Sequence, residues 1–467
     1  MKVLSKTIGI RQILAATFFV AAALVVASLV GVPFMAQAQE TNLSPQQARF
    51  VAREAIKQGN LDVADALSSA LLARDANDAE ALMVRAMLQR AAGDLDGARE
   101  TAGHAHAKTD IPALKFDAAM LVADILTREE KYTRAQIWLR RADQAANDDQ
   151  RRTIVANAYR VVQRRNPLRV QLRFSLNPSN NVNNGAETTL IEIGGLPFRI
   201  DDSGLKLGGY EASAGVSLAY RFSESETQKT EAIAELYYRH VWLDSNAKEI
   251  APDAKGSDYN YATVVTGLRQ QRLIWPELGI TQATGLLGQS WYGDKGLARW
   301  AELQLSQMIK QSDVSALRFG ATLRSERRLD NDINDARTLG LSVEYLRGLG
   351  DSGAYSVGLS VRDIRSESAT VDGLSYALTA SRSFPRIGAV LPKINLRAET
   401  RDYQKWATTA DGREDDTLSL SLDMVFPDVT YYGFAPQMAV SARRTWSDVD
   451  IYDRNQFSVG LTAVSRF

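Results

Sequence analysis

At Pro167 the hydrophobic period of this 467-residue chain changes, and that change constrains its fold more than any other feature. Before it, Ala81, Leu82, Val84, Ala86, Met87 and Leu88 recur at steps of three and four, which puts them on one side of a helix. After it, Leu168, Val170, Leu172, Phe174 and Leu176 alternate with Arg169, Gln171, Arg173 and Ser175, the period of a strand. The chain therefore reads as a multidomain α+β protein. A helical domain spans 39–166 and a strand domain 167–467. Composition shifts at the same place, from Ala-rich and nearly Gly-free to Gly, Ser, Tyr and Trp recurring among alternating apolar residues.

Turn chemistry cuts the strand domain into segments near 168–176, 188–201, 206–222, 230–244, 258–272, 277–291, 297–311, 314–328, 336–348, 353–366, 370–384, 389–405, 416–427, 433–446 and 455–467. In the last of these Phe457, Val459, Leu461, Ala463, Ser465 and Phe467 share one face, and a terminal aromatic closing an alternating strand is how outer-membrane barrels usually end. Phe457, Gly460, Leu461 and Phe467 thus form a candidate membrane-insertion signal. Such strands can sit in lipid only as a closed barrel, where every backbone group finds a partner.

Lys2, Lys6 and Arg11 precede an apolar run from Ile13 to Val30, and Ala36-Gln37-Ala38 offers a cleavage site, so 1–38 reads as a secretory signal peptide. Both ends of the mature chain then lie in the periplasm, and the number of spanning strands must be even. Fourteen strands beginning near Thr188 satisfy this, leaving 168–187 as an entry segment or a locally paired strand; sixteen is the next choice. Counted back from Phe467, the connections near 446–454, 405–416, 366–370, 328–336, 292–296 and 244–259 fall on the outer side. Those near 427–432, 384–389, 348–352, 311–314 and 272–277 are short and fall inside. Tyr237, Tyr238, Trp242, Trp291, Tyr292, Trp300, Tyr403, Trp406, Tyr431 and Tyr432 gather towards segment ends, as an interfacial girdle would. In 313–323, Ser315, Leu317, Phe319, Ala321 and Leu323 form the lipid face and Arg318 points into the lumen.

Composition excludes several functions. There is no Cys, hence no disulfide and no thiolate metal site. Lys plus Arg equals Asp plus Glu at 55 each, so no global field marks nucleic acid as a partner. His104 and His106, two apart on a helix, point in nearly opposite directions and read as surface residues rather than metal ligands. His240 has no nucleophile elbow beside it. Asp330-Asn331-Asp332-Ile333-Asn334-Asp335 lacks the Gly and the terminal Glu of a calcium loop. No cofactor, metal or catalytic group is expected, and the chain does not read as an enzyme.

Within the helical domain, Gln58-Gly59-Asn60-Leu61-x-x-Ala64 matches Ala92-Gly93-Asp94-Leu95-x-x-Ala98 at a spacing of 34, and Glu130-Lys131-Tyr132-x-x-Ala135 follows 37 later. Gly59, Leu61, Ala64, Gly93, Leu95 and Ala98 are the repeat turn positions. This pattern resembles the tetratricopeptide repeat, whose stacked helix pairs form a groove for an extended segment of another protein.

A signal peptide, repeats and a barrel of about 14 strands together resemble the surface lipoprotein assembly modifier family. Asn177-Pro178-Ser179-Asn180-Asn181-Val182-Asn183-Asn184, Gly194-Gly195-Leu196-Pro197-Phe198 and Tyr452-Asp453-Arg454-Asn455 with Gly460-Leu461 and Phe467 carry the closer likeness. The resemblance implies an outer-membrane translocon that moves a client lipoprotein or secreted protein to the cell surface, with its repeats in the periplasm. Partners would be that client, the barrel-assembly machinery and outer-membrane lipid. Three repeat units at most is fewer than the family pattern. A polysaccharide export porin with periplasmic repeats, or a general diffusion porin, are the other readings.

Overall fold

The computed structural model of the protein describes residues 43–193, 196–275, 277–405 and 412–465. The signal segment, Trp406 and Phe467 lie outside these. Seven helices come first: α1 (Pro45–Lys57), α2 (Leu61–Arg74), α3 (Ala79–Ala91), α4 (Leu95–Ala107), α5 (Pro112–Arg128), α6 (Tyr132–Ala145) and α7 (Asp149–Arg165). Ser44, Asn60, Asp78, Asp94 and Asp148 each cap a helix by accepting an amide that has no intrahelical partner.

The helices pack closely because their contact positions are small. Ala52, Ala64, Ala86, Ala98, Ala102, Ala119 and Ala135 are wholly buried, and Leu82, Phe116, Ile125, Leu126 and Leu139 fill the space between them. Gly59 (φ 77°) and Gly93 (φ 84°) make the turns into α2 and α4, where a left-handed residue lets the next amide reach back to the helix. That closure recurs as Asn60 N to Ala55 O, Asp94 N to Gln89 O and Lys131 N to Leu126 O, all within 2.8–2.9 Å. In the third copy Glu130 takes the left-handed position at φ 57°. Leu61 and Leu95 open their helices, and Ala64 and Ala98 lie one turn further in, at the buried contact.

The barrel strands are β1 (Leu168–Ser179), β4 (Gly209–Glu224), β5 (Gln228–Leu243), β6 (Tyr261–Trp275), β7 (Gly279–Tyr292), β8 (Lys295–Ser312) and β9 (Ser315–Arg328). They continue with β10 (Ala336–Gly348), β11 (Ala354–Ser366), β12 (Gly373–Ser383), β13 (Leu391–Tyr403), β14 (Arg413–Val425), β15 (Phe434–Ser447) and β16 (Arg454–Ser465). These 14 close as one antiparallel barrel, β1 pairing with both β4 and β16. The remaining pair, β2 (Leu190–Ile193) and β3 (Leu196–Arg199), is a separate hairpin.

The strand number is as expected, but one member differs: 168–179 is the first barrel strand, and 188–201 does not span. The reason is length and punctuation. What is described of that stretch is two four-residue arms, Leu190–Ile193 and Leu196–Arg199, the second interrupted by Pro197, whereas a crossing strand needs about 9–11 residues. The exchange preserves parity, so short connections still gather at one end and long ones at the other. At the long end the segment between β1 and β4 folds against α8 (Ser245–Ile250), burying Val182, Leu207, Val241, Ala247 and Tyr259 together. Asn183 ties that segment by donating to Leu205 O at 2.6 Å and accepting from Leu207 N at 3.0 Å.

Candidate functional site at the barrel mouth

The register assigns every barrel side chain to one of two faces. Phe174, Ala214 and Tyr238 align across β1, β4 and β5; Leu305, Ala321 and Leu341 align across β8, β9 and β10. This outer face is apolar and uncovered, with Leu287 at 60% exposure and Leu268, Leu359 and Leu461 close behind. A closed barrel with such a face is built for lipid. Phe457 and Leu461 lie on it, as do Val459 and Ala463. Gly460 lies on the opposite, lumenal face, where a Cβ would run into Asn177 Oδ1.

The girdle divides. Tyr238, Trp242 and Trp291 face outward with His240, whose ring sits 4.4 Å from Trp242. Tyr237, Tyr292, Trp300 and Tyr403 turn inward. Neighbours in a strand point to opposite faces, so Tyr237 and Tyr238, or Trp291 and Tyr292, cannot both reach lipid.

The lumen is polar and densely ion-paired. Arg324 bridges Glu302 (3.1 Å) and Glu326 (2.6 Å) and lies 4.4 Å over the Trp300 ring. Glu399 gathers Arg362, Arg397 and Ser375, and Arg318 meets Glu344 at 2.9 Å. The wall from β11 to β16 carries Ser356, Thr379, Ser381, Ser419, Ser421, Ser441 and Ser458 around a cavity of about 560 Å³. Small hydroxyl side chains leave space and keep it wet. At the long-loop end Arg413, 4% exposed, stacks between Tyr403 (3.9 Å) and Tyr452 (3.2 Å) and holds Asp415 at 2.5 Å.

The helical domain stands on the short-turn end. From α6, Arg140 donates to Tyr432 O (3.1 Å) and Ser465 Oγ (2.8 Å) and covers the Phe434 ring at 4.5 Å. One turn on, Gln144 Oε1 accepts from Tyr432 N at 2.9 Å. On the other side Arg221 of β4 donates to Arg164 O at 2.9 Å at the end of α7, and Arg221 N to Pro167 O at 2.8 Å. Between these anchors lies a cavity of about 1170 Å³, lined by Thr133, Gln136 and Gln163 above and by Gln171, Ser213 and Gln437 of the lumen below. It lies at the junction of the two domains and is about twice the size of the cavity along the β11–β16 wall.

Of the repeat positions, Gly59 and Gly93 make turns, Ala64 and Ala98 are buried in the repeat interior, Leu95 is half-buried and Leu61 is exposed, and none of the six lines this junction. The anchors Arg140, Gln144 and Arg221 had no signal in the sequence, since an Arg-rich helix face reads as solvated. His104 is exposed on α4, while His106 packs edge-on to Trp138 at 5.3 Å, and burial pushes its pKa below the ordinary value. Among the described residues no group of His, Cys, Asp and Glu could hold a metal ion. In the 329–335 turn, Asp335 Oδ1 accepts from Arg328 N at 2.6 Å.

No family model matches the chain, and no curated protein matches it. Among solved structures, the helical part is similar to the Yersinia enterocolitica type III secretion chaperone SycD in complex with a peptide of the translocator YopD. That match has 19% identity, covers 25% of this chain and 91% of that one, and has a TM-score of 0.23. It is also similar to the TPR2B domain of yeast Sti1, at 17% identity, 26% and 96% coverage and TM-score 0.24. The barrel is similar to Acinetobacter baumannii OccAB3, at 8% identity, 63% and 98% coverage and TM-score 0.35.

Proposed function

We propose that this chain is a non-enzymatic conduit of the outer membrane that delivers a client lipoprotein or secreted protein from its periplasmic repeats into the barrel. The observation that carries this is the docking. A domain held by Arg140 and Gln144 on one side and by Arg221 on the other is fixed over the polar mouth, with a cavity running from its helices into the lumen. A pore for free diffusion gains nothing from such an obstruction. A repeat domain that grips an unfolded segment gains a fixed delivery point. The lumen supplies hydroxyls and paired charges that a hydrated chain can slide past without deep traps, and folding outside would make passage irreversible.

The test is surface display of secreted and lipid-anchored proteins of the same cell, scored by protease shaving of intact cells followed by mass spectrometry. Deletion of 43–165 is expected to abolish display while the barrel remains inserted and heat-modifiable. Display that survives the deletion refutes the proposal.

A further inference from the structure

The outward face of the barrel is apolar along most of its height, but one arc of it is cationic. Counting by twos from Leu305, Ala321 and Leu341 towards the long-loop end leads to Arg299 on β8, Ser325 and Arg327 on β9, and Arg337 on β10. Arg365 on β11 stands opposite Arg337. All four arginines are exposed. They form two cross-strand pairs: Arg299 lies directly across from Arg327, and Arg337 directly across from Arg365, while Arg327 is the diagonal neighbour of Arg337. Like charges directly opposite each other on one face of a sheet are destabilising. Their neighbours offset this only in part. Arg365 reaches Asp363 at 2.9 Å and Arg299 donates to Gln289 at 2.9 Å, whereas among the described residues no carboxylate pairs with Arg327 or Arg337. Charge is also sorted around the rim. At the same end β13 and β14 present Asp402, Glu414 and Asp416 outward, so the acids that could have neutralised these arginines stand on another arc.

Below the arginines, towards the membrane middle, the outer surface is indented by a groove of about 650 Å³. Gly285, Ala301 and Ser325 leave the space, Leu303 and Leu339 are among the side chains that wall it, and Arg337 stands at its upper lip. Tyr376 of β12 faces outward opposite Val361, two outward positions below Arg365, and an outward aromatic at a strand end marks the level of the membrane interface. At that level an arginine lays its stem along apolar surface and keeps its head among lipid headgroups. We propose that this arc is a seat for a bisphosphorylated glycolipid of the outer leaflet, with its phosphates on the two arginine pairs and an acyl chain in the groove. Phosphate is the anion that the planar guanidinium fork matches in bidentate fashion. The midpoints of the two pairs are two strand spacings apart, roughly 10 Å, which calls for two phosphates held apart on one headgroup. A single phospholipid headgroup satisfies one pair, and a soluble anion leaves the groove empty. The seat lies on the outer side of the wall, so it goes beyond the conduit reading and does not depend on what passes through the lumen.

The test is lipid binding to the purified full-length protein in detergent, read by native mass spectrometry. The probes are bisphosphorylated lipid A, its monophosphorylated form and phosphatidylglycerol. Wild type is expected to hold bisphosphorylated lipid A roughly tenfold more tightly than either other lipid, and a large excess of inorganic phosphate is expected not to displace it. Arg327→Gln with Arg337→Gln should weaken that binding by roughly tenfold or more while the barrel remains heat-modifiable. Arg327→Lys with Arg337→Lys, which keeps the charge and loses the fork, should fall between the two. Arg444→Gln removes an outward cation at the same end that already has Asp453 at 2.8 Å, and should bind as wild type does. Undiminished binding by the double Gln variant overturns the proposal. Equal binding of the three lipids, displacement by inorganic phosphate, or an equal loss in Arg444→Gln would show general charge attraction and overturn it as well.

Discussion

Arg140→Ala is expected to loosen the helical domain from the barrel while leaving both folded. The guanidinium makes two hydrogen bonds across the junction, to Tyr432 O and Ser465 Oγ, and covers the Phe434 ring. These hydrogen bonds are solvent-exposed, so each contributes about 0.5–1 kcal/mol rather than the larger value of a buried charge-assisted bond. The ring contact adds about 0.5–1 kcal/mol at an exposed site. The loss on docking is then about 2 kcal/mol, or roughly 30-fold in the ratio of docked to undocked domain. Tyr432 N reports it directly, because it donates to Gln144 and is protected only while the domain is docked. Hydrogen exchange followed by mass spectrometry should show 426–434 exchanging faster by about that factor, with the interior of β8 and β9 unchanged. Arg140→Lys should recover only part of the effect, since an ammonium cannot span two acceptors and a ring as the planar fork does. Unchanged exchange at 426–434 in Arg140→Ala would refute the claim that this side chain holds the junction.

Other consequences are more local. Gly59→Ala and Gly93→Ala meet no neighbour but force a Cβ into left-handed backbone, so each should cost about 1 kcal/mol, read as a lower helical melting temperature by circular dichroism at 222 nm. Arg413→Leu strands the buried Asp415 and removes the stacking partner of Tyr403 and Tyr452; it should cost about 3–5 kcal/mol, seen as a lower urea midpoint for the barrel. His106 has a depressed pKa because burial against Trp138 disfavours its charged form. Its contribution is therefore complete above the ordinary value of 6.5 and fades as pH falls through it, so helical stability should decline from pH 7.5 to 5.5, and His106→Gln should flatten that slope.

Period, parity and turn composition made the two domains and the strand count legible, because each depends on local patterning that lipid and backbone pairing enforce. Parity was robust for a specific reason: 168–179 and 188–201 are consecutive candidates, and exchanging one for the other changes no later strand. Choosing between them needed the Gly194-Gly195 and Pro197 breaks to be weighed as evidence against spanning, not merely as a turn. The faces of Tyr237 and Trp300 were legible in principle from alternation once strand ends were fixed, but end positions slip by one residue, and one residue reverses a face. The junction was not legible at all. Arg140 and Arg221 bond to backbone carbonyls, and a carbonyl is the same on every residue, so no pattern of side chains could announce the partner.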